Sequence, residues 1–182
     1  MAVEEVARRM VRIVGALEGA KIPFALVGGQ AVALWVATVD EAAVRIAKDV
    51  DIMIRRQDLP EVRKAALSVG LEYFEVLGVG MLLERDDPNP RRAVRLLWAG
   101  EKVRPEYPLP SPTLDEIETV DKGKPVVSLP GLVRMKLMPY REHDRVHLRD
   151  MIDVDLIKRD MLAHLPAELA ARLDALLRDA GR

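Results

Sequence analysis

The stretch 24-FALVGGQAVALWVATVDEAAVRIAKDVDIMI-54 constrains the fold of this chain more than any other. Phe24-Ala25-Leu26-Val27 is a short apolar run that stops at Gly28-Gly29. Such a run reads as a buried strand entering a glycine turn, and Gln30 to Val39 then reads as a helix that is apolar on most sides. Val50 to Ile54 alternates as a second strand, which places Asp49 and Asp51 on one face. Everything else must pack around this ordered unit of strand, double glycine, helix, and strand with paired acids.

Upstream, Val6, Met10, Ile13, Val14 and Leu17 recur at helical spacing over 3–19, and Gly19 closes the helix. Asp58 is placed to cap a helix that carries Pro60 in its first turn and runs to about Val69 before Gly70. From Leu71 the pattern turns to strands over 72–76, 80–84 and 93–98, with Asp87-Pro88-Asn89-Pro90 as a break. Four prolines in 105–112 predict an extended surface loop, and Val126-Val127 closes the β region. Helices are then expected near 130–139, 142–159 and 166–179. The fold class is α+β: a small mixed β-sheet backed by helices, with a helical C-terminal third. Residues 1–127 form the α/β core with its N-terminal helix; 128–182 form a helical extension packed on it, or both make one domain.

Composition removes several function classes. With 182 residues, 49% of them hydrophobic, the chain can bury an ordinary core; an aromatic share of only 4% means that aliphatic side chains fill it. Lys plus Arg number 28 against 29 for Asp plus Glu, so a uniformly basic nucleic-acid coat is excluded. No cysteine is present, which removes disulfides, thiolate zinc sites and thiol nucleophiles. His143 and His147 stand four apart, but no third ligand is spaced to complete a zinc site. No apolar run approaches the length of a membrane span, and the start lacks a charged-then-apolar signal; the expectation is a cytoplasmic protein with no membrane contact.

The chemistry sits in the opening unit. Glycine lets backbone approach a ligand closely, and the free N–H groups and dipole at a helix start make an anion site. Two parallel carboxylates repel unless a cation lies between them, and a hard divalent cation that also bridges phosphate oxygens resolves the conflict. A phosphate cradle beside such a pair is what phosphoryl or nucleotidyl transfer requires. Alone, a Gly-Gly is an ordinary tight turn and an Asp-x-Asp an ordinary solvated strand end. In this order, with Val50, Ile52, Met53 and Ile54 flanking the acids, they stand beside a core.

These residues resemble the nucleotidyltransferase superfamily with a polymerase-β-like core, and within it the bacterial branch related to abortive-infection type IV toxins. That branch shows hydrophobic-V-G-G, a helix, then R-x-T-x-D-hydrophobic-D. Here the match is Val27-Gly28-Gly29 followed by Arg45-Ile46-Ala47-Lys48-Asp49-Val50-Asp51. A later block, 132-LVRMKLMPYREHDRVHLRDMIDVDLI-157, is similar to the family's helical segment that carries a Lys, an Arg and two acids. The likeness spans roughly residues 22–160. It implies Asp49 and Asp51 as catalytic residues and Mg²⁺ ligands, and Gly28, Gly29, Lys136 and Arg141 as nucleotide-binding residues. Arg45, Arg95, Asp144 and Asp150 take supporting places. The implied activity is Mg²⁺-dependent transfer of NMP from an NTP to a hydroxyl of RNA or protein, with an antitoxin-like protein as a further partner. The alternative is a catalytically degenerate nucleotide-binding or partner-binding module of the same fold.

Three departures bear on that choice. Ala47 replaces the usual Thr, and Trp35 stands where many relatives have His. The superfamily's third carboxylate comes from a later strand, here 93–98, where Arg95 holds the acidic position. Alternation makes Val94, Leu96 and Trp98 the core face and sends Arg95 with Leu97 to the side of the acids. Arginine cannot ligate a cation, so Glu84 or Glu101 would have to complete the set. Lys136 is either a phosphate ligand or a snorkelling lysine on an apolar helix. The charges from Arg141 to Asp153 read as a salt-bridge ladder, or as acids (Asp150, Asp153) that orient Lys136. Trp35 and Trp98 read as core.

Overall fold

The computed structural model of the chain describes residues 2–120 and 123–182. Six α-helices are described: α1 (Ala2–Gly19), α2 (Gly28–Ala37), α3 (Leu59–Ser68), α4 (Leu129–Leu137), α5 (Glu142–Asp153) and α6 (Ala167–Asp179). Seven strands make one sheet: β1 (Ala25–Val27), β2 (Val50–Ile54), β3 (Leu71–Val76), β4 (Val79–Glu84), β5 (Val94–Trp98), β6 (Ile117–Val120) and β7 (Lys124–Val127). Their spatial order is β3-β4-β5-β2-β1-β7-β6. The pairs β2–β5 and β1–β7 are parallel and the rest antiparallel, so the sheet is mixed and the α+β class holds.

Burial explains the centre of the sheet. Every residue of β1 and β2 is buried, which requires apolar cover on both faces. α2 follows β1 without a spacer; the two glycines are its first turn rather than a turn before it. It buries Ala31, Val32, Leu34, Trp35 and Val36, and Trp35 Nε1 donates to the Val127 carbonyl at 3.0 Å, tying α2 to β7. α1 lays Ile13 and Leu17 into the same core and packs against α3 and β2.

Three expectations are corrected. Asp58 does not cap α3 with its side chain: a 3₁₀ turn over Arg56–Asp58 leads into the helix, and the carboxylate accepts from Arg55 Nε at 2.7 Å instead. The sheet is larger than expected because β6, mostly exposed at the edge, carries no apolar alternation to betray it. α5 ends at Asp153, not at 159. Asp155 adopts φ +60°, and Leu156 and Ile157 both donate to the Met151 carbonyl (3.0 and 3.4 Å), a turn that carries Ile157 into the core. The proline-rich stretch is a loop, as expected, and it is tied down: Ser111 N–H donates to Glu101 O at 2.9 Å and Gly100 N–H to Pro112 O at 3.0 Å. That folds the loop back over the end of β5.

No helix among the described residues is long and apolar enough to cross a membrane. Trp35→Phe keeps most of the buried ring but deletes its bond to Val127. The loss should be about 1–2 kcal/mol, a fall in Tm of roughly 2–8 °C by thermal denaturation, with the far-ultraviolet spectrum unchanged.

Candidate active site

Register builds the site. β1 pairs with β2 so that Val27 stands opposite Asp51, and β5 pairs with β2 so that Arg95 stands on the other side of it. Gly28, one step past Val27, has φ +65°, and a Cβ there would collide with Asp51 Oδ2. Backbone conformation and close approach both demand glycine at this point. α2 has no side-chain cap, so the first-turn N–H groups that follow Gly28 keep the positive end of the helix dipole uncovered by a side chain at its start.

Asp49 lies one residue before β2, and the two acids share one cation. Arg95 Nε donates to Asp51 Oδ1 at 2.6 Å, and its terminal nitrogen reaches Asp51 Oδ2 at 3.2 Å and Asp49 Oδ2 at 3.1 Å. Asp51 is 12% exposed, Asp49 53% and Arg95 42%. Burial works against the Arg95 charge, but the two carboxylates outweigh it and raise its pKa above the ordinary value. The acids therefore do face one side, as the spacing predicts, and the expected direction of Arg95 is the one observed.

A second charged pair closes the cleft from the helical side. Lys136 Nζ donates to Asp144 Oδ1 at 3.2 Å with both residues buried. Burial lowers the Lys136 pKa, against the opposing pull of Asp144 and Asp51. Burial also tends to raise the Asp144 pKa, but Lys136 and Arg141 overcome it and hold the carboxyl below its usual range. Asp144 Oδ2 further accepts from the Arg141 backbone N–H at 3.2 Å and from Arg141 Nε at 2.9 Å, at the start of α5. The residue that orients Lys136 is thus Asp144, not Asp150. Asp150 instead holds Arg45 through two bonds of 2.9 and 3.0 Å, fastening the loop ahead of Asp49 to α5. Gln30 Nε2 braces the same loop at the Asp49 carbonyl, 3.2 Å away.

Between these pairs lies a cleft of about 930 Å³. Gly28, Gly29, Arg45, Asp49, Asp51, Arg95, Lys136, Arg141 and Asp144 all line it, and Asp150 reaches it only through Arg45. Sequence reasoning missed several of its walls. The tip of the β3–β4 hairpin, with fully exposed Leu77, overhangs it, and the proline-rich loop supplies Lys102, Arg104 and Tyr107. Trp98 is a rim residue rather than a core one, its ring covered by the Arg56 guanidinium at 4.2 Å while Arg56 also pairs with Glu101 (2.6 and 2.8 Å). Glu84 lies outside the cleft, engaged by Arg9 and Arg12 of α1, so it cannot complete the acidic set; Glu101 lines the cleft but is held by Arg56. Among the described residues eight Lys or Arg side chains and four carboxylates line the cleft, in a chain whose net charge is −1. Such walls draw polyanions.

The donor set bears on a metal ion. Asp49 and Asp51 bring two carboxylates to one point, which fits one hard divalent cation whose other ligands are phosphate or water oxygens. It does not fit two cations, because the β5 position beside Asp51 is a guanidinium and no group of three ligating side chains occurs among the described residues.

No protein-family model and no curated protein matches the sequence. Solved structures do. The solution structure of the antibiotic-resistance factor ANT(2'')-Ia aligns with TM-score 0.57 at 16% identity, over 99% of this chain and 94% of that one. ANT(2'')-Ia in complex with adenylyl-2''-tobramycin aligns at 0.55 and 14% identity, over 96% and 98%. An antigenic nucleotidyltransferase-like protein from Paracoccidioides brasiliensis aligns at 0.56 and 19%, over 98% and 90%. The fold is a nucleotidyltransferase fold. At these identities the likeness is one of architecture.

Two outcomes follow from the site's geometry. Gly28→Ala forces a β-carbon against Asp51 in a left-handed conformation, and should lower stability by more than about 1 kcal/mol in denaturant titration. His147 titrates at about 4 instead of 6.5, through burial first and Lys136 second. Between those values the unfolded chain binds a proton that the folded one rejects, so stability falls as pH drops from 6.5 towards 4. His147→Gln should flatten the melting-temperature profile across that window, while the loss due to Asp144 comes mostly below its unfolded value of 3.8.

Proposed function

We propose that the chain binds a nucleoside triphosphate in this cleft and transfers NMP from it to a hydroxyl acceptor on RNA or protein. The observation that carries the reading is the approach of Gly28 to Asp51. It sets the first-turn amides of a helix beside paired acids on a central strand, with Lys136 opposite. The amides and Lys136 hold the polyphosphate, and the positive walls favour anionic partners over cationic ones. Asp49 and Asp51 are the residues that would hold Mg²⁺, which when bound supplies charge neutralisation at the phosphates. The acceptor hydroxyl oxygen attacks the α-phosphorus as its proton passes to solvent, the bond from the α-phosphorus to pyrophosphate breaks, and Arg95 and Arg141 offset charge on the phosphate oxygens. That the fold accommodates such chemistry is supported by the ANT(2'')-Ia structure holding adenylyl-2''-tobramycin. A cytoplasmic setting and an antitoxin-like partner covering the cleft belong to the same reading.

A second reading has its own observation. Arg95 pairs with both acids, so the cleft is balanced at that point without a metal. A non-catalytic nucleotide-binding module would look like this. The two readings separate by incubating the protein with each α-³²P-labelled NTP, Mg²⁺, total tRNA and lysate protein. Slow label transfer, lost in Asp51→Asn, supports the first; Mg²⁺-dependent NTP binding without transfer supports the second; no nucleotide binding removes both. Because Arg95 competes for the same oxygens, Arg95→Asp should raise Mg²⁺ affinity by at least about tenfold in calorimetry. Asp51→Asn strips Arg95 of its closest partner and should lower stability slightly. Wild-type transfer that disappears in Glu101→Gln would show instead that Glu101 leaves Arg56 to serve as the third acid.

A further inference from the structure

The imidazole of His147, on α5, stands over Gly29. A Cβ built on Gly29 would lie 3.6 Å from the ring's Cε1 and 3.9 Å from its Nε2. The ring's other nitrogen, Nδ1, is enclosed and meets no hydrogen-bond partner. An enclosed N–H without an acceptor is rarer and costlier than an unshared lone pair, so the ring proton belongs on Nε2. That places an N–H donor beside the first turn of α2, on the wall of the cleft.

The surroundings keep the ring neutral. Lys136 of α4 and His143 of its own helix oppose a positive charge; Asp150 and Asp144 favour one. Asp150 is itself paired with Arg45 of the loop ahead of β2, and Asp144 with Lys136 and Arg141, so little negative charge is left for His147. The first turn of α2 brings backbone N–H groups and no charged side chain.

We propose that His147, as a neutral imidazole with its proton on Nε2, donates a hydrogen bond to the polyphosphate of a nucleotide held at the start of α2. The inference rests on the reading of the cleft as a nucleoside triphosphate site. Phosphate oxygens accept several hydrogen bonds at once, and a neutral donor adds one without setting a second cation against Lys136. It also gives Gly29 a purpose that its backbone does not: a side chain there would press on Ala47 at 3.4 Å and fill the gap between helix and ring. His147 is a binding residue in this account and takes no part in proton transfer.

The test uses the full chain with Mg²⁺ and the α,β-methylene analogues of ATP, CTP, GTP and UTP, which bind without transferring NMP. Calorimetry compares wild type with His147→Ala, His147→Asn and His147→Gln, and ¹⁵N-resolved imidazole spectra of the wild type report the tautomer. The expected results are an Nε2–H tautomer and binding weakened at least about tenfold in the Ala variant. Gln, whose amide nitrogen falls near the Nε2 position, should restore most of the affinity, and Asn, whose amide falls near Nδ1, should not. A purely structural histidine would not separate Gln from Asn in this way. The wild-type to Gln ratio should be equal at about pH 7.5 and about pH 5.5. An Nδ1–H tautomer, an Ala variant that binds like wild type, or a wild-type affinity that climbs on acidification while that of Gln does not, each overturns the inference. Wild type that binds none of the analogues overturns the nucleotide reading, and this inference with it; wild type that binds while Ala is unchanged overturns this inference alone.

Discussion

Asp51 is nearly enclosed on a central strand with Asp49 beside it, an arrangement that repels itself unless a cation stands between the two carboxylates. The guanidinium of Arg95 is that cation, and its place follows from strand register. Parallel pairing of β2 with β5 sets Arg95 beside Asp51, while alternation turns Val94 and Leu96 into the core. A slip of one residue would bury the guanidinium and expose Leu96, so apolar burial on one face fixes the charge pairing on the other. Gly28 completes the arrangement, because only a residue without a β-carbon lets β1 turn into α2 against that carboxylate. The bond from Trp35 to Val127 then holds α2 in place, and with it the distance of its amides from Asp51.

The opposite wall depends on a buried ion pair, which is weak evidence for stability in itself. Desolvation of Lys136 and Asp144 is offset because Asp144 receives donors from Lys136 Nζ and from the Arg141 backbone and side chain. Removing Asp144 would leave the Lys136 charge buried without its hydrogen-bonded partner, a loss of about 3–5 kcal/mol, whereas removing Lys136 leaves Asp144 still held by Arg141. What the pair fixes is geometry. It joins the end of α4 to the start of α5 at the cleft, and α5 carries His147 to Gly29 and Asp150 to Arg45. One helix thereby fastens both the loop that presents Asp49 and the wall that faces the first turn of α2.

Much of this was readable from residue order. The run Val27-Gly28-Gly29 and the spacing of Asp49 and Asp51 locate the cleft, and alternation in 94–98 gives the direction of Arg95, because apolar periodicity decides which way a strand residue points. Partner identity was less legible. Asp144 and Asp150 stand on the same helix, eight and fourteen residues past Lys136, and only the packing of α5 against α4 and the loop ahead of β2 assigns Lys136 to one and Arg45 to the other. That the segment after β5 and Trp98 line the cleft was less legible for a related reason. Nothing local shows that Ser111 and Gly100 bond back across the end of β5, beside the stretch that brings Arg104 and Tyr107 to the cleft wall. Edge strand β6, exposed on nearly every residue, had no hydrophobic signal to give.

A guanidinium beside Asp49 and Asp51, where a third carboxylate could stand, lowers what the cleft costs the fold. Three acids at one point would repel in the absence of a cation, whereas Asp49, Asp51 and Arg95 are already paired. On the proposed reading, a cation alone has to displace Arg95 and leave that guanidinium unpaired, and a polyphosphate alone has to compete with two carboxylates for it. A cation and a polyphosphate arriving together exchange partners instead: the acids keep a positive neighbour and Arg95 gains phosphate oxygens. Since the exchange leaves no charge unpaired in a half-buried site, it is favoured over either separate event. On that reading Arg95 couples the binding of the two components, and the coupling is reciprocal, so each raises the affinity for the other by the same factor.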